Sequence, residues 1–287
     1  MNRIPLGKTI SYAYSFTLSQ LGSIIGLAWI SLVAIAILQF LPYAAGGDPM
    51  ATPANPIQAG QHAIQSLGIS ILVLVLTSIM YVAVTRLALG TRPSGAIAHF
   101  ALGGPEFRTF GAIFLLGLVI FGIAIGLAIA AGIVVAVANA AHNEALLALV
   151  LVAVVLIVLC AVIYIAVRLG FLLVPATVVE EHISLSRSWL LTRGNFWSIF
   201  AVLLAVMVPI ALIEIAGAAA IVGPGLFAPL PEGANASQAL TARFTEFGHH
   251  APMLIGLRLL IAPFQLGLSM GASAFVYRVL TAPPPPA

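Results

Sequence analysis

The sequence predicts an all-α fold, a polytopic membrane helix bundle with six transmembrane helices. Hydrophobic residues make up 62% of the 287 residues and charged residues only 7%, whereas soluble domains carry about 25% charged residues. Six apolar runs each reach the length of about 20 residues that a helix needs to cross a bilayer. Amphipathic stretches between the runs predict short interfacial helices on the cytoplasmic side. A single membrane domain is expected over residues 1–282, with a proline-rich tail at 283–287.

The amino-terminal part predicts one surface helix and two spans. The spans are expected at 21–41 and 67–88. Between them, Asn55 followed by Pro56 is typical of a helix start, so we expect a short separate helix there. The apolar stripe that indicates the surface helix before the first span consists of Ile10, Tyr14, Leu18 and Leu21.

The four remaining runs predict two more hairpins. The third run, 110–141, would be about 48 Å long as a helix against a hydrocarbon core of about 30 Å, so it must tilt, kink or protrude. A tight turn joins it to the fourth run, 145–174. The fifth and sixth spans are expected at 196–222 and 253–280.

The spacing of the surface-helix candidates suggests an internal repeat. They begin near Ile10, Ile97 and Ile183, and each precedes a pair of apolar runs. This favours three repeats of an interfacial helix plus a hairpin. Equal spacing in any six-span protein would give a similar pattern.

The basic residues predict the orientation. Nine of the eleven lysine and arginine residues fall on one side if the amino terminus is cytoplasmic, so both termini are expected in the cytoplasm. Abundant alanine and the preference for arginine over lysine are typical of GC-rich bacteria, which points to a bacterial inner membrane. The net charge of +3 is too small to indicate nucleic-acid binding.

Two charged residues inside the membrane predict a polar site in the last hairpin. Glu214 and Arg258 lie at similar depths, and because an intramembrane ion costs about 3 kcal/mol or more, we expect them to pair. Pro209 and Pro263 should kink the same two helices and free carbonyls beside Gln265, which would open a cavity. The site is either a structural staple or a substrate or proton site.

Small residues at four-residue spacing predict close helix contacts. Gly122, Gly126 and Ala130 form one stripe on the third span, and Gly267 with Gly271 forms another on the sixth. Such stripes allow helix backbones to approach each other. Packing within the chain and a homodimer interface are the two interpretations.

The stretch 183–197 predicts an interfacial helix that leads into the fifth span. Ser184 is expected to cap this helix, Gly194 to end it and Asn195 to cap the next one. Arginines and tryptophans at headgroup level are typical of anionic-lipid contact. The residues of this basic aromatic cluster are Arg168, Arg187, Arg193, Trp189 and Trp197.

A motif in 168–197 resembles a known family. The residues that carry it are Arg168, Pro175, Glu180, Ser188, Trp189, Thr192, Arg193, Gly194, Asn195, Phe196 and Trp197. In this pattern the chain resembles bacterial six-span membrane proteins related to the glycerophosphoryl diester phosphodiesterase membrane-domain family. The resemblance implies the fold and the membrane location, and it implies no activity, because that name comes from proteins fused to a separate catalytic domain.

The sequence predicts a protein that is not an enzyme and needs no cofactor or metal. A phosphodiesterase requires histidines and clustered carboxylates around a divalent metal, whereas the eight acidic residues here are scattered. We expect a protein that organises or binds membrane lipids or a partner membrane protein, including a second copy of itself. The alternative is a small-solute or lipid transporter or channel that uses the Glu214 and Arg258 hairpin.

Overall fold

The fold is that of an all-α multi-pass membrane protein. The computed structural model describes residues 3–44, 56–91, 102–140, 144–183, 185–223 and 248–283. Within these ranges all regular structure is helical, and six helices are long and apolar enough to cross a membrane. The helices are α1 (Leu6–Ser19), α2 (Leu21–Ala44), α3 (Pro56–Ala88), α4 (Gly104–Ala140), α5 (Glu144–Ile165), α6 (Leu173–Glu180), α7 (Leu185–Thr192), α8 (Phe196–Val222) and α9 (Ala251–Thr281).

Most spans follow the prediction, and two differ. The fifth span is confirmed at 196–222 as α8. The prediction of a separate short helix after Asn55 is wrong, because Pro56 is the first residue of α3. This helix continues without interruption into the apolar part of the second span. The fourth span is also not one continuous helix, because a π-helical turn at Ala166–Gly170 separates α5 from α6.

Three antiparallel hairpins form the bundle, as the repeat hypothesis expects. They are α2 with α3, α4 with α5, and α8 with α9, and the two helices of each hairpin contact each other. The short helices α1 and α7 precede the first and third hairpins. The candidate helix near Ile97 and most of the proline-rich tail lie outside the described residues.

Helix α9 is the centre of the bundle. It packs against α1, α2, α3, α6 and α8, and its most apolar stretch is 61% buried, against 6% for that of α4. Its carboxyl-terminal half owes this burial to small residues, since a helix with short side chains admits neighbours on several sides. The buried small residues are Gly267, Gly271, Ala272, Ser273 and Ala274.

Helix α1 runs antiparallel along the carboxyl-terminal half of α9. Ile4 packs with Val276 and Tyr277, whereas thirteen positions later Thr17 lies beside Gly267. A Cβ atom on Gly267 would lie 2.8 Å from Thr17 Cγ2, so only glycine permits this approach. The sixth-span stripe therefore packs within the chain.

The buried face of α1 differs from the predicted one. Leu18 of the predicted stripe is 67% exposed, while Ile10 and Tyr14 are only partly buried. The prediction placed only apolar residues in the stripe, but threonines enter the core here because their hydroxyls bond to carbonyls of their own helix. The residues on the buried face are Thr9, Ala13, Phe16 and Thr17.

The glycine stripe on α4 has no neighbour in the described part of the chain. A Cβ atom on Gly122 or Gly126 would meet nothing within 4 Å. The prediction that this stripe packs closely within the chain is therefore wrong for the described residues, and most of the residues around the stripe on α4 are exposed.

The proline in α8 explains one long-range hydrogen bond. Pro209 has no N–H group, so the carbonyl four residues earlier, on Ala205, receives no helical hydrogen bond. The Tyr14 hydroxyl of α1 donates to this carbonyl at 2.9 Å. The carbonyl that Pro209 frees therefore holds α1 against α8 and does not line a cavity.

We expect Gly267→Ala to lower the melting temperature, because the added methyl group collides with Thr17 and Ile24 and overpacking costs about 1–3 kcal/mol. Gly122→Ala is the matched control and should be neutral or stabilising, since alanine favours a helix by about 1 kcal/mol over glycine. Thermal unfolding in detergent compares the two variants. Equal shifts would contradict the close contact of α1 with α9.

We expect Tyr14→Phe to reduce the free energy of unfolding by about 1 kcal/mol, because the Ala205 carbonyl loses its donor. In a Pro209→Ala background the new N–H group bonds to that carbonyl, so the same substitution should cost less. A double-mutant cycle on stability measures this coupling. Additive effects of the two substitutions would show that the hydroxyl and the proline act independently.

Candidate functional site

The motif residues Ser188 and Thr192 satisfy the backbone of the π-helical turn. A π-helical turn leaves carbonyls without their usual i+4 donors. The Ser188 hydroxyl donates to the Leu169 carbonyl at 2.9 Å, and the Thr192 hydroxyl lies 3.1 Å from the Arg168 carbonyl. Both side chains are buried. Helix α7 is thereby fixed across the end of the fourth span.

The Arg168 side chain is held by aromatic rings. Its guanidinium lies 4.6 Å from the centre of the Trp189 ring and 5.6 Å from that of Tyr164. Its Nε donates to the Tyr164 hydroxyl at 3.4 Å, whereas Nη1 is buried without a hydrogen-bond partner. The contacts of Arg168 are cation–π contacts, so it contributes to the packing of α7.

Glu180 joins three helices at the same end of the bundle. Its Oε1 accepts hydrogen bonds from Arg187 Nε at 2.7 Å and from the Tyr277 hydroxyl at 3.1 Å. The bond to this carboxylate raises the pKa of the Arg187 guanidinium above its usual value. No pattern in the sequence points to Tyr277, because its partner lies 97 positions away. Arg187 is therefore engaged within the protein.

The predicted caps around α7 are confirmed in one case. Gly194 has φ = +80° and ends the helix, a conformation that favours glycine. Asn195 stands at the N-cap position of α8, but its side chain makes no capping hydrogen bond, so that prediction is wrong. Its backbone is the reason: with φ = −116° and ψ = 15° it lacks the extended conformation of a capping residue. Ser184 lies outside the described residues.

A basic aromatic surface remains exposed on α7 and the start of α8. Trp197 is 75% exposed and Trp189 is 38% exposed. Their rings are linked through Tyr164 and Phe196, with centroid distances of 5.3 to 5.9 Å. Arg193 lies between the tryptophans in sequence, is exposed, and has no described carboxylate within 4 Å. This surface combines an unpaired cation with two exposed indole rings.

The predicted ion pair inside the membrane is not formed. Glu214 and Arg258 are both described, and no oxygen of the first lies within 4.0 Å of a guanidinium nitrogen of the second. At this level Leu257 fills the notch at Gly217 of α8, where a Cβ atom would lie 2.6 Å away. Because neighbouring helix residues point about 100° apart, Arg258 turns away from that contact.

Arg258 and Gln265 instead line a cavity of about 310 Å³ whose walls come mainly from α2, α3 and α9. Of the two prolines of the predicted polar site, Pro209 is exposed and Pro263 is buried, and neither is among the residues that line the cavity. Glu214 does not line the cavity. The structure thus brings together two of the five residues predicted for this site.

Comparisons with protein families, with functionally described proteins and with solved structures found no match.

We expect Thr192→Val to destabilise the protein by about 1–3 kcal/mol, because a buried hydroxyl that reaches the Arg168 carbonyl of the π-helical turn, as well as carbonyls of its own helix, is lost. Thr177→Val is the matched control, since the Thr177 hydroxyl bonds only within its own helix, to the Leu173 carbonyl at 2.7 Å. Thermal unfolding in detergent checks both variants. If Thr177→Val proved the more destabilising, the assigned role of Thr192 would fail.

Proposed function

We propose that the protein is a non-enzymatic multi-pass membrane protein that binds anionic lipid headgroups at the surface of α7 and the start of α8, and so organises lipids or a partner membrane protein. We place it in a bacterial inner membrane with both termini in the cytoplasm. The observation that carries this proposal is the exposed Arg193, which has no described carboxylate within 4 Å and lies between two exposed tryptophans in the sequence. Aromatic rings and arginines together are typical of the headgroup layer.

The arginines of the motif divide into two groups. Arg168 lies against aromatic rings and Arg187 is bonded to Glu180, so both have partners in the protein. Arg193 is exposed and has no described carboxylate within reach. We therefore assign the lipid contact to Arg193 and a structural role to the other two.

The acidic residues at this end of the bundle have partners within the protein. Glu180 binds Arg187 and Tyr277, Glu181 lies 3.5 Å from Arg108, and Glu106 accepts a hydrogen bond from the Gly103 N–H. These carboxylates hold helices and helix ends. Among the described residues no three potential metal ligands lie together.

The similarity of 168–197 to the glycerophosphoryl diester phosphodiesterase membrane-domain family is part of the proposal. Ser188, Thr192 and Gly194 of that pattern perform structural tasks here, since they close the π-helical turn and end α7. These structural roles support an architecture shared with that family at this end of the bundle. We assign ligand binding to the exposed residues of the motif.

A transporter or channel is the second candidate function. The cavity beside Arg258 is the observation in its favour. The predicted path along the Glu214 and Arg258 hairpin receives less support, because the two side chains do not meet.

We expect Arg193→Gln to weaken the selective retention of anionic lipid by roughly fivefold, since one basic residue near a membrane surface contributes about 1 kcal/mol. Native mass spectrometry of nanodiscs made from equal parts of phosphatidylglycerol and phosphatidylcholine measures the retained lipids. The melting temperature of this variant should equal that of the wild type.

Arg187→Gln is the matched control. It removes the same charge six residues earlier, within α7, but breaks the contact with Glu180, so it should lower the melting temperature and leave lipid selectivity nearly unchanged. If Arg193→Gln retained phosphatidylglycerol as the wild type does, the proposed headgroup site would be wrong.

A further inference from the structure

A polar-lined cavity lies inside the bundle, in a region of the membrane where polar side chains are costly. It extends along α9 from Ile255 to Ser269, about 21 Å at the helical rise of about 1.5 Å per residue. Its volume of about 310 Å³ falls in the range of about 300–1,000 Å³ typical of ligand sites. The polar side chains that line it are Gln39, Thr77, Tyr81, Arg258, Gln265 and Ser269.

Among the described residues that line the cavity, one is cationic and none is a carboxylate. Arg258 is the charged residue among the side chains that form the walls, and no described carboxylate lies within 4 Å of it. An arginine inside a bilayer costs about 3 kcal/mol or more unless an anion compensates it. Because α8 does not supply that anion through Glu214, the chemistry of the site calls for an anionic ligand.

The amides near Arg258 can bind the same ligand. Gln39 of α2 and Gln265 of α9 are partly buried, and neither makes a hydrogen bond within the described protein. Unsatisfied polar groups in a low-dielectric environment gain most from a polar ligand. An arginine and two amides in the lining of one cavity offer several N–H donors, which suits a phosphate or carboxylate.

Apart from three hydroxyl side chains, the rest of the described wall is apolar. Leu32, Met80 and Leu266 are buried side chains that line the cavity, whereas Arg258 is exposed. A ligand would thus meet a cationic group at an exposed position and a mainly apolar wall. This arrangement fits a molecule with a charged head and a hydrocarbon chain.

We propose that the cavity between α2, α3 and α9 binds an anionic amphiphile, with its phosphate or carboxylate head on Arg258, Gln39 and Gln265 and its chain against the apolar wall. This site is separate from the headgroup surface on α7 and does not depend on it. No covalent chemistry is involved, since the polar groups serve to bind and orient the ligand.

Dodecyl phosphate is the probe for this site. We expect it to raise the melting temperature of the wild-type protein in a neutral steroid detergent, whereas inorganic phosphate and dodecyl maltoside at equal concentration should not. Arg258→Gln should weaken dodecyl phosphate binding by about 10- to 100-fold, the loss expected for hydrogen bonds to a charged group. Native mass spectrometry counts the bound molecules.

Two further variants keep the test decisive if Arg258→Gln folds poorly. Ala262→Phe fills the cavity from its α9 wall and should abolish binding while the arginine stays in place. Glu214→Gln, outside the cavity lining, should bind as the wild type does. Equal binding by wild type and Ala262→Phe would overturn the proposal. If inorganic phosphate alone raised the melting temperature, the ligand would be a free anion and the proposed amphiphile would be wrong. If dodecyl maltoside raised the melting temperature as much as dodecyl phosphate does, the cavity would bind the hydrocarbon chain only, and the proposed headgroup contact would be wrong.

Discussion

The structure depends on hydroxyl groups that donate to backbone carbonyls left free by irregularities in its helices. A bilayer offers no water to these groups, so the protein must satisfy them itself. Two irregularities are conspicuous, the π-helical turn at the end of the fourth span and Pro209 in α8. Hydroxyl groups on α7 serve the first, and the Tyr14 hydroxyl on α1 serves the second. The short helices α1 and α7 are fixed to the bundle by these bonds.

The central helix α9 makes the hydrogen bond between α1 and α8 possible. Its small residues let α1 approach closely, which places Tyr14 within reach of α8. On the opposite face of α1 from Tyr14, the Tyr12 hydroxyl donates to the Ala88 carbonyl at the last turn of α3, and Arg278 of α9 donates to the same carbonyl. Carbonyls at helix ends and kinks therefore connect α1, α3, α8 and α9, while the α4 and α5 hairpin leaves most of its surface uncovered.

The features that could be predicted from the sequence are those that the bilayer requires of a spanning helix. Long apolar runs define the spans because a spanning helix must be apolar, and the bounds of α8 were found because a glycine and an asparagine precede it and a glycine follows it. The π-helical turn could not be found, because 145–174 is uniformly apolar apart from Arg168 and carries no proline before Pro175. The buried face of α1 was misassigned because apolarity alone does not show that a threonine can bond to its own helix.

Similar depth in the membrane was not enough to predict that Glu214 and Arg258 form an ion pair. Depth along a helix follows from residue number, but the direction of a side chain depends on which neighbour fills the adjacent notch, here Leu257 at Gly217. That contact turns Arg258 away from Glu214 and towards the polar side chains of α2 and α3. An arginine without a carboxylate partner is a costly feature for stability alone, since an apolar residue would pack there at no electrostatic cost. Its position at a cavity with two free amides is therefore better explained by ligand binding than by packing.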